Sequence, residues 1–229
     1  MIEASGLGKV YSNGTVALRD FDLRVDRNEM LFIRGQSGAG KTTLFKLMMG
    51  MELPSSGTLR VDDCVMGACG TRSLRNLRRK MGVIFQDFRL IKGRTARENV
   101  ELGMRVLGVS GIEVRRRAEE YLDWLGLGDR VGSQVDSLSW GEQQRLVVAR
   151  ALARRPEIIF ADEPTGNLDE ELSTRVMDLL LAAQERGATV LVATHSPEIL
   201  RQTRHRVITL SNGRLVGDVP ADSGRGRHR

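Results

Sequence analysis

The chain has 229 residues, of which 41% are hydrophobic and 28% charged, and a formal net charge of +6. This balance is typical of a globular protein with a buried core and excludes an intrinsically disordered chain. No apolar run approaches the roughly 20 residues that a membrane-spanning helix requires, and an aromatic content of 4% supplies few side chains for stacking on single-stranded nucleic acid.

The first third of the sequence is predicted to be rich in short strands. Two turn-forming pairs, Asn13-Gly14 and Arg27-Asn28, separate the first apolar segments. The predicted strands are Thr15–Leu18, Phe21–Val25, Met30–Ile33, Thr58–Val61 and Gly82–Phe85, and the predicted helices are Lys41–Met49 and Leu74–Lys80. We therefore expect an N-terminal antiparallel β subdomain followed by the beginning of an α/β core.

The middle of the chain, from Ala96 to Leu127, has a helical pattern instead. Apolar residues recur every three or four positions, first at Val100, Met104 and Leu107. No strand pattern interrupts this stretch. The sequence therefore predicts an α-helical lobe, about residues 90–150, inserted into the α/β core.

The last third alternates between helices and apolar strands. The predicted helices are Gly141–Arg154, Glu170–Arg186 and Pro197–Gln202, and the predicted strands are Glu157–Ala161, Thr189–Ala193, Val207–Leu210 and Arg214–Val216. Such alternation favours a mostly parallel sheet covered by helices on both faces. The expected fold class is α/β, with one domain over residues 1–220 and a basic disordered tail over residues 221–229.

Two cysteines, Cys64 and Cys69, lie close together in the sequence. No second Cys/His pair stands nearby to complete a zinc site. We therefore expect two free thiols.

Residues 35–42 carry a phosphate-binding motif that predicts a P-loop NTPase core. They fit G-x-x-x-x-G-K-[ST] at every fixed position, and they lie between a predicted strand and a predicted helix, as the motif requires. Glycines let backbone N–H groups approach phosphate oxygens, and the helix N-terminus adds further donors. The lysine supplies a positive charge to the β- and γ-phosphates, and the Thr42 hydroxyl can ligate Mg²⁺. The residues expected to bind ATP are Gly35, Gln36, Ser37, Gly38, Ala39, Gly40, Lys41, Thr42 and Thr43.

Two adjacent acids, Asp162 and Glu163, follow the predicted strand Glu157–Ala161. Side chains alternate along a strand, so the two carboxylates point in different directions and can have different roles. We expect Asp162 to hold Mg²⁺ through water, and Glu163 to act as the general base that polarises the attacking water. Two acids at a strand end do not by themselves indicate a catalytic site, but a phosphate-binding motif in the same chain favours these two roles.

Ser139 stands just before the predicted helix that begins at Gly141, and Glu142 follows Ser139 by three residues. This spacing is that of a capping box, which begins a helix without any ligand. A capped helix N-terminus is also a site for anions, here a γ-phosphate.

The phosphate loop, the two acids and this helix start, in this order, resemble the nucleotide-binding domains of ABC transporters over about residues 2–217. The resemblance implies roles for further residues. Tyr11 would stack on adenine, Gln86 would contact Mg²⁺ and the attacking water, and His195 would contact the γ-phosphate. The signature that closes on the partner subunit's ATP would contain Ser139, Gly141 and Glu142, and Asp169 would lie in the loop that crosses the dimer interface.

Trp140 departs from the family pattern, which usually has glycine at this position. The indole would either crowd the approach of the signature to the opposite nucleotide or stack outward, since Ser139 and Gly141 are kept. If it crowds the nucleotide, Trp140→Gly is expected to raise turnover.

The resemblance also implies a homodimer that forms head to tail around two ATP molecules. Residues 85–91 and 94–100 are most similar to the FtsE branch, the cell-division ATP-binding proteins, which work with a membrane protein of the FtsX type. The run Glu-Pro-Thr-Gly-Asn-Leu-Asp at 163–169 is shared with lipoprotein-releasing and macrolide-type exporter ATPases. An exporter ATPase is therefore the alternative.

Other classes of function are less well supported. DNA-repair and chromosome ATPases usually carry coiled-coil or zinc insertions, which this sequence lacks, so we expect no nucleic-acid partner. A module that binds ATP without hydrolysing it is disfavoured by Glu163 and His195. The first ten residues show no signal-peptide pattern. The expected location is the cytoplasm, with peripheral contact on the cytoplasmic face of the bacterial inner membrane.

Overall fold

The computed structural model describes residues 1–222, so the tail predicted for residues 221–229 lies outside the described residues from position 223 onward. The chain divides into two compact units. Unit 1 combines residues 1–78 with the residues from 191 onward, and unit 2 comprises residues 79–190. Within the described part of the chain, no helix is long and apolar enough to cross a membrane.

Strands and helices follow one another along the chain in a mixed order. They are β1 (Ile2–Val10), β2 (Val16–Val25), β3 (Met30–Arg34), α1 (Lys41–Met48), β4 (Ser56–Val61), β5 (Cys64–Val65), α2 (Thr71–Arg79), β6 (Met81–Ile84), α3 (Ala96–Arg105), α4 (Gly111–Trp124), α5 (Trp140–Leu152), β7 (Ile158–Asp162), α6 (Glu170–Glu185), β8 (Thr189–Thr194), α7 (Pro197–Gln202), β9 (Arg206–Ser211) and β10 (Arg214–Val219).

The N-terminal sheet of unit 1 is antiparallel, with strand order β2-β1-β4-β5. In β1, Ile2 lies opposite Val25 of β2 and Val61 of β4, and all three side chains are fully buried. Apolar residues alternate with exposed ones along β2 and β4, as expected for a sheet with one covered face. Both of these strands contact α1, so this sheet helps to hold the helix that follows the phosphate-binding motif.

The second sheet of unit 1 has β3 at its centre, between β9 and β8. β3 runs parallel to β9, with Leu31 opposite Arg206, and β10 pairs with β9 in the antiparallel direction. Both β3 and β8 are buried along nearly their whole length. Continuous burial is typical of the inner strands of a parallel sheet, and it places the end of β3, where the phosphate loop begins, on a rigid support.

Unit 2 combines two parallel strands with a group of helices. β6 runs parallel to β7, from Met81 opposite Ile158 to Ile84 opposite Ala161. Helices α3, α4 and α5 pack on one another, and α5 also contacts β6 and α6. Helix α5 therefore joins the helices of this unit to its strands.

Two differences from the predicted strands arise in unit 1. β1 was not predicted, because Gly6, with a φ of 53°, and several register shifts against β2 interrupt its alternation. The two predicted strands Thr15–Leu18 and Phe21–Val25 form the single strand β2. Asp20 lies within this strand and has a left-handed backbone, with a φ of 41°. A strand accommodates such an irregularity as a β-bulge.

Cys64 and Cys69 form a disulfide, so the expectation of two free thiols is wrong. The chain turns back directly after β5, where the N–H groups of Ala68 and Cys69 donate to the carbonyl of Val65. Gly67 makes this turn with a φ of 89°, and the two cysteine Cα atoms lie 5.4 Å apart, a usual distance for a disulfide. The spacing of the two cysteines does not by itself predict this turn, because the turn depends on the backbone conformation of Gly67.

Candidate functional site

The phosphate-binding motif of unit 1 forms a loop over residues 35–40, between β3 and α1. Two of its glycines stand where no side chain fits. A Cβ on Gly35 would lie 2.7 Å from the carbonyl oxygen of Leu210, and a Cβ on Gly40 would lie 2.6 Å from that of Ala17. Gly40 also has a φ of 110°, in the region that glycine alone occupies readily. The loop backbone therefore requires glycine at these two positions.

Neighbouring segments of unit 1 hold this loop in place. The N–H of Gly213, in the turn between β9 and β10, donates to the carbonyl of Ala39 over 3.1 Å, and its own carbonyl accepts from the N–H of Arg19 in β2 over 2.8 Å. At the end of the loop, Gly40 is the N-cap of α1 and no side chain caps the helix. The start of α1 therefore keeps the electrostatic character that favours anions.

Lys41 lies folded along the loop and is 8% exposed. Its Nζ donates to the carbonyl of Gly35 over 2.6 Å and to that of Gln36 over 3.2 Å. These carbonyls hold the ammonium group beside the loop backbone, where the sequence predicts that phosphates bind. Thr42, the next residue, is exposed at the start of the helix.

Tyr11 and His195, also in unit 1, were predicted to contact nucleotide. The Tyr11 hydroxyl and Thr43 Oγ1 are 3.2 Å apart, and Lys9 Nζ lies 5.1 Å from the centre of the tyrosine ring. The structure therefore brings Tyr11 next to the first turn of α1. His195 follows β8 directly and is exposed, with Ser196 capping α7 after it.

The predicted acids lie in unit 2 at the end of β7. Asp162 is the last residue of this fully buried strand and is only 5% exposed. Glu163 has a left-handed backbone, with a φ of 50°. The buried amide of Gln144, from α5, donates to the carbonyls of Glu163 over 3.2 Å and of Pro164 over 2.9 Å. Sequence reasoning missed Gln144, which fixes the backbone of the proposed general base.

The predicted capping box at the start of α5 is confirmed. Ser139 Oγ accepts from the N–H of Glu142, and Glu142 Oε2 accepts from the N–H of Ser139 over 2.7 Å. Arg130 donates to the second carboxylate oxygen over 3.0 Å. The backbone hydrogen bond from Ser139 lowers the pKa of Glu142, and the charge of Arg130 acts in the same direction, against a smaller effect of burial. Both carboxylate oxygens of Glu142 are thus engaged within its own chain.

The other predicted residues of unit 2 lie near this helix start or cap α6. A Cβ on Gly141 would lie 3.9 Å from Leu168 Cδ2, an ordinary contact distance. The signature residue and the 166–169 loop are therefore neighbours. Asp169 is the N-cap of α6, where its side chain accepts from the N–H of Leu172 over 2.8 Å.

Gln86 lies in a turn after β6 and is exposed. The two residues that follow Asp87 have unusual backbones: the φ of Phe88 is 54° and that of Arg89 is 50°. Arg150 of α5 donates to the carbonyls of both residues. Burial, and to a lesser degree the charge of Arg154, lowers the pKa of Arg150 to about 10.

Trp140 packs against this turn. Its ring lies edge-on to that of Phe88, with centroids 4.6 Å apart, and the indole is 47% exposed. Neither predicted position of the indole anticipated this contact, because Phe88 stands 52 positions earlier in the chain.

Comparison with known proteins shows the family to which this chain belongs. Residues 18–166 match the family model of ABC transporters. The chain is 41% identical over 219 residues to the cell division ATP-binding protein FtsE of Mycobacterium tuberculosis, covering 95% of each chain. It is 40% identical over 219 residues to FtsE of Escherichia coli strain K12, covering 96% of this chain and 99% of the relative. The chain therefore belongs to the ABC transporter family, as the sequence predicted.

A solved structure similar to this chain is the ATP-binding cassette MJ0796, captured as a dimer in a post-hydrolysis state with ADP and Pi. It has a TM-score of 0.89 and 34% sequence identity, and the match covers 96% of this chain and 98% of that one. This likeness confirms the predicted α/β fold class with its mostly parallel sheet and separate antiparallel sheet. Membership of the family makes the chain a nucleotide-binding ATPase.

Proposed function

We propose that this chain is the ATP-hydrolysing subunit of an ABC-type complex that acts in bacterial cell division with an FtsX-type membrane partner. The observation that carries the proposal is the phosphate loop, whose backbone admits only glycine at positions 35 and 40 and leads into α1 without a side-chain cap. Relatives named for cell division cover nearly the whole chain. This favours cell division over the alternative, an ATPase of a lipoprotein-releasing or macrolide-type exporter.

In this proposal, residues 35–43 hold the phosphates of ATP. Backbone N–H groups at the start of α1 donate to phosphate oxygens. Lys41 exchanges the carbonyls of Gly35 and Gln36 for oxygens of the β- and γ-phosphates. That exchange is favourable because an anionic oxygen is a stronger acceptor than a neutral carbonyl. Tyr11 stacks on the adenine, with its hydroxyl held by Thr43.

Mg²⁺ is proposed to accompany the nucleotide. The hydroxyl of Thr42 and the carboxylate of Asp162 are hard oxygen donors, with the amide oxygen of Gln86 as a third, and Mg²⁺ prefers such donors. Their chemistry therefore fits this ion. When bound, Mg²⁺ neutralises charge that develops on the phosphate oxygens.

Hydrolysis is proposed to depend on Glu163. Its carboxylate accepts a proton from water as the water oxygen attacks the γ-phosphorus, and ADP leaves with the bridging oxygen. Gln86 orients this water, and His195 contacts the γ-phosphate. Gln144 contributes by fixing the backbone from which the Glu163 side chain projects.

We propose further that two copies of the chain close around two ATP molecules. The start of α5, with Ser139, Gly141 and Glu142, faces the γ-phosphate bound by the other copy, and Asp169 lies at the shared interface. A capped helix start provides N–H donors and a positive dipole end for this contact. The dimeric state of the MJ0796 cassette with ADP and Pi supports this arrangement.

The partner-facing surface is proposed to include residues 86–94 and α3. Three apolar side chains on or beside this helix, Ile91, Leu102 and Val106, are 40%, 45% and 64% exposed. Ile91 is tied to α3 through Asn99, whose Oδ1 accepts from the Ile91 N–H over 2.8 Å. Exposed apolar groups that lie together are typical of interaction sites. Helices α3, α4 and α5 are accordingly proposed to form the inserted lobe, about residues 90–150, that meets the partner at the cytoplasmic face of the inner membrane.

Steady-state turnover of Mg·ATP by purified protein tests this proposal. We expect the wild type to hydrolyse ATP and Lys41→Ala to lose productive ATP binding. Lys46→Ala, which removes a lysine one turn further along α1, is the matched control and is expected to keep activity. We expect Glu163→Gln to bind ATP and barely hydrolyse it. Near-normal turnover by Lys41→Ala would contradict the proposed phosphate site, and a fully active Glu163→Gln would remove Glu163 from the role of base.

A further inference from the structure

The turn after β6, residues 85–90, contains two consecutive non-glycine residues with left-handed backbones. Phe88 has a φ of 54° and Arg89 a φ of 50°. Such a conformation costs roughly 1 kcal/mol or more for each residue and persists only where surrounding contacts impose it. This turn, here called the Gln86 turn, therefore needs contacts from outside itself.

Arg150 supplies the first of these contacts. Its Nη2 donates to the carbonyl of Phe88 over 2.7 Å and its Nη1 to the carbonyl of Arg89 over 2.5 Å. One guanidinium thus holds the carbonyls of both left-handed residues. The Arg150 side chain is only partly exposed to water, and hydrogen bonds to a charged group are stronger in such a setting than in open solvent.

Trp140 supplies the second contact, from the first residue of the same helix. Its ring meets the ring of Phe88 edge to face at 4.6 Å between centroids, an arrangement that aromatic pairs favour. Phe88 is therefore held through its ring by Trp140 and through its carbonyl by Arg150. Contacts within the turn, such as the ion pair between Arg89 and Asp87, do not connect it to any other element.

We propose that Trp140 and Arg150 are positioning residues, which fix the Gln86 turn to the helix that begins at the signature. The inference rests on the proposed function, in which Gln86 orients the attacking water and Ser139 and Gly141 approach a second ATP. Trp140 then has a structural role other than crowding the nucleotide of the opposite subunit. The start of α5 and the Gln86 turn move as one body, so that a displacement of either is transmitted to the other.

Hydrogen exchange tests this without any catalytic readout. In the wild type, the amides of Phe88, Arg89 and Ile91, which donate hydrogen bonds in or beside the turn, are expected to exchange slowly. Trp140→Ala is expected to speed their exchange about two- to tenfold, the range that corresponds to an aromatic pair. Arg150→Lys, which cannot hold both carbonyls with a planar fork, is expected to speed it by at least about tenfold. Trp124→Ala is the control, because Trp124 is an exposed tryptophan on α4. Equal exchange in the wild type and Trp140→Ala would overturn the proposal.

Kinetics provide the second readout. Trp140→Ala and Phe88→Ala are each expected to lower kcat about two- to tenfold with KM for ATP nearly unchanged. The double variant should be no slower than the slower single variant, and Trp140→Phe should recover most of the activity. Additive losses, or a change confined to KM, would overturn the proposal. If the wild type hydrolyses no ATP, the proposed function fails, and the exchange rates still decide whether Trp140 and Arg150 position the turn.

Discussion

Gln144 offers a sharp test of how the site is held, because it is a buried side chain that touches no proposed ligand. It is 1% exposed, and its amide donates to the carbonyls of Glu163 and Pro164. Gln144→Ala removes both hydrogen bonds. A net loss of about 1 kcal/mol for each bond, with a penalty of about 1–3 kcal/mol for buried acceptors left without partners, gives a total of roughly 3–5 kcal/mol in the free energy of unfolding.

The effect on catalysis follows from the backbone of Glu163. Its φ of 50° is unfavourable for a residue with a side chain, so Gln144→Ala allows this backbone to relax and carries the carboxylate away. A displacement of about 1 Å can lower a rate about a hundredfold. We expect kcat to fall about ten- to a hundredfold while KM for ATP changes by less than about threefold, because Gln144 does not belong to the phosphate loop.

The assay compares Gln144→Ala with Gln143→Ala, well below the unfolding temperature of both. Gln143 is the matched control: its amide donates to the carbonyl of Leu138 over 2.9 Å and makes no hydrogen bond to the Glu163 segment. Gln144→Glu, similar in shape but without an amide donor, should behave like Gln144→Ala. If folded Gln144→Ala has the same kcat as Gln143→Ala, then the two hydrogen bonds do not position the base.

Three further predictions concern stability and the two helix starts. Gly40→Ala, at a φ of 110° with a carbonyl 2.6 Å from the added Cβ, should weaken ATP binding in titrations more than Gly38→Ala. Gly38 shares the left-handed backbone, with a φ of 79°, but no atom lies within 4 Å of its added Cβ, so the difference between the two variants measures the steric clash. Ser139→Ala should lower the free energy of unfolding in urea by about 1 kcal/mol through loss of the α5 cap and weaken ATP-driven dimerisation, whereas Ser139→Thr should retain the cap. Hydrogen bonds from Arg206 lower the pKa of Asp218. This pair therefore stabilises the fold above about pH 4, and the contribution is lost as the pH falls through the lowered pKa. The difference between the urea midpoints at pH 7 and pH 3 should accordingly be smaller for Asp218→Asn than for the wild type.

The parts of the site that are encoded locally could be predicted from the sequence. Helix α1 begins at Lys41 as predicted, because the motif fixes a strand, a glycine-rich loop and a helix within a short stretch. The capping box of Ser139 and Glu142 depends on residues three positions apart, and it forms as the spacing indicates.

The contacts that could not be predicted join residues distant in the sequence or depend on one backbone conformation. Gln144 and Glu163 stand 19 positions apart in the sequence. Their contact forms only when α5 turns the face that carries Gln144 toward the segment that follows β7. Phe88 meets Trp140 only because the turn after β6 has two left-handed residues. Neither residue type favours that conformation, so no local pattern signals it.

The most direct test of the central claim is to identify the membrane protein that the ATP-bound chain captures. Glu163→Gln, loaded with Mg·ATP, is used to isolate its complex from gently solubilised membranes of the native organism, with Lys41→Ala as the control that should not bind ATP. Mass spectrometry is expected to find an FtsX-type membrane protein with Glu163→Gln, together with division proteins, and less of it with Lys41→Ala. Recovery of a lipoprotein- or drug-exporting permease instead would contradict the cell-division role and assign the ATPase to transport.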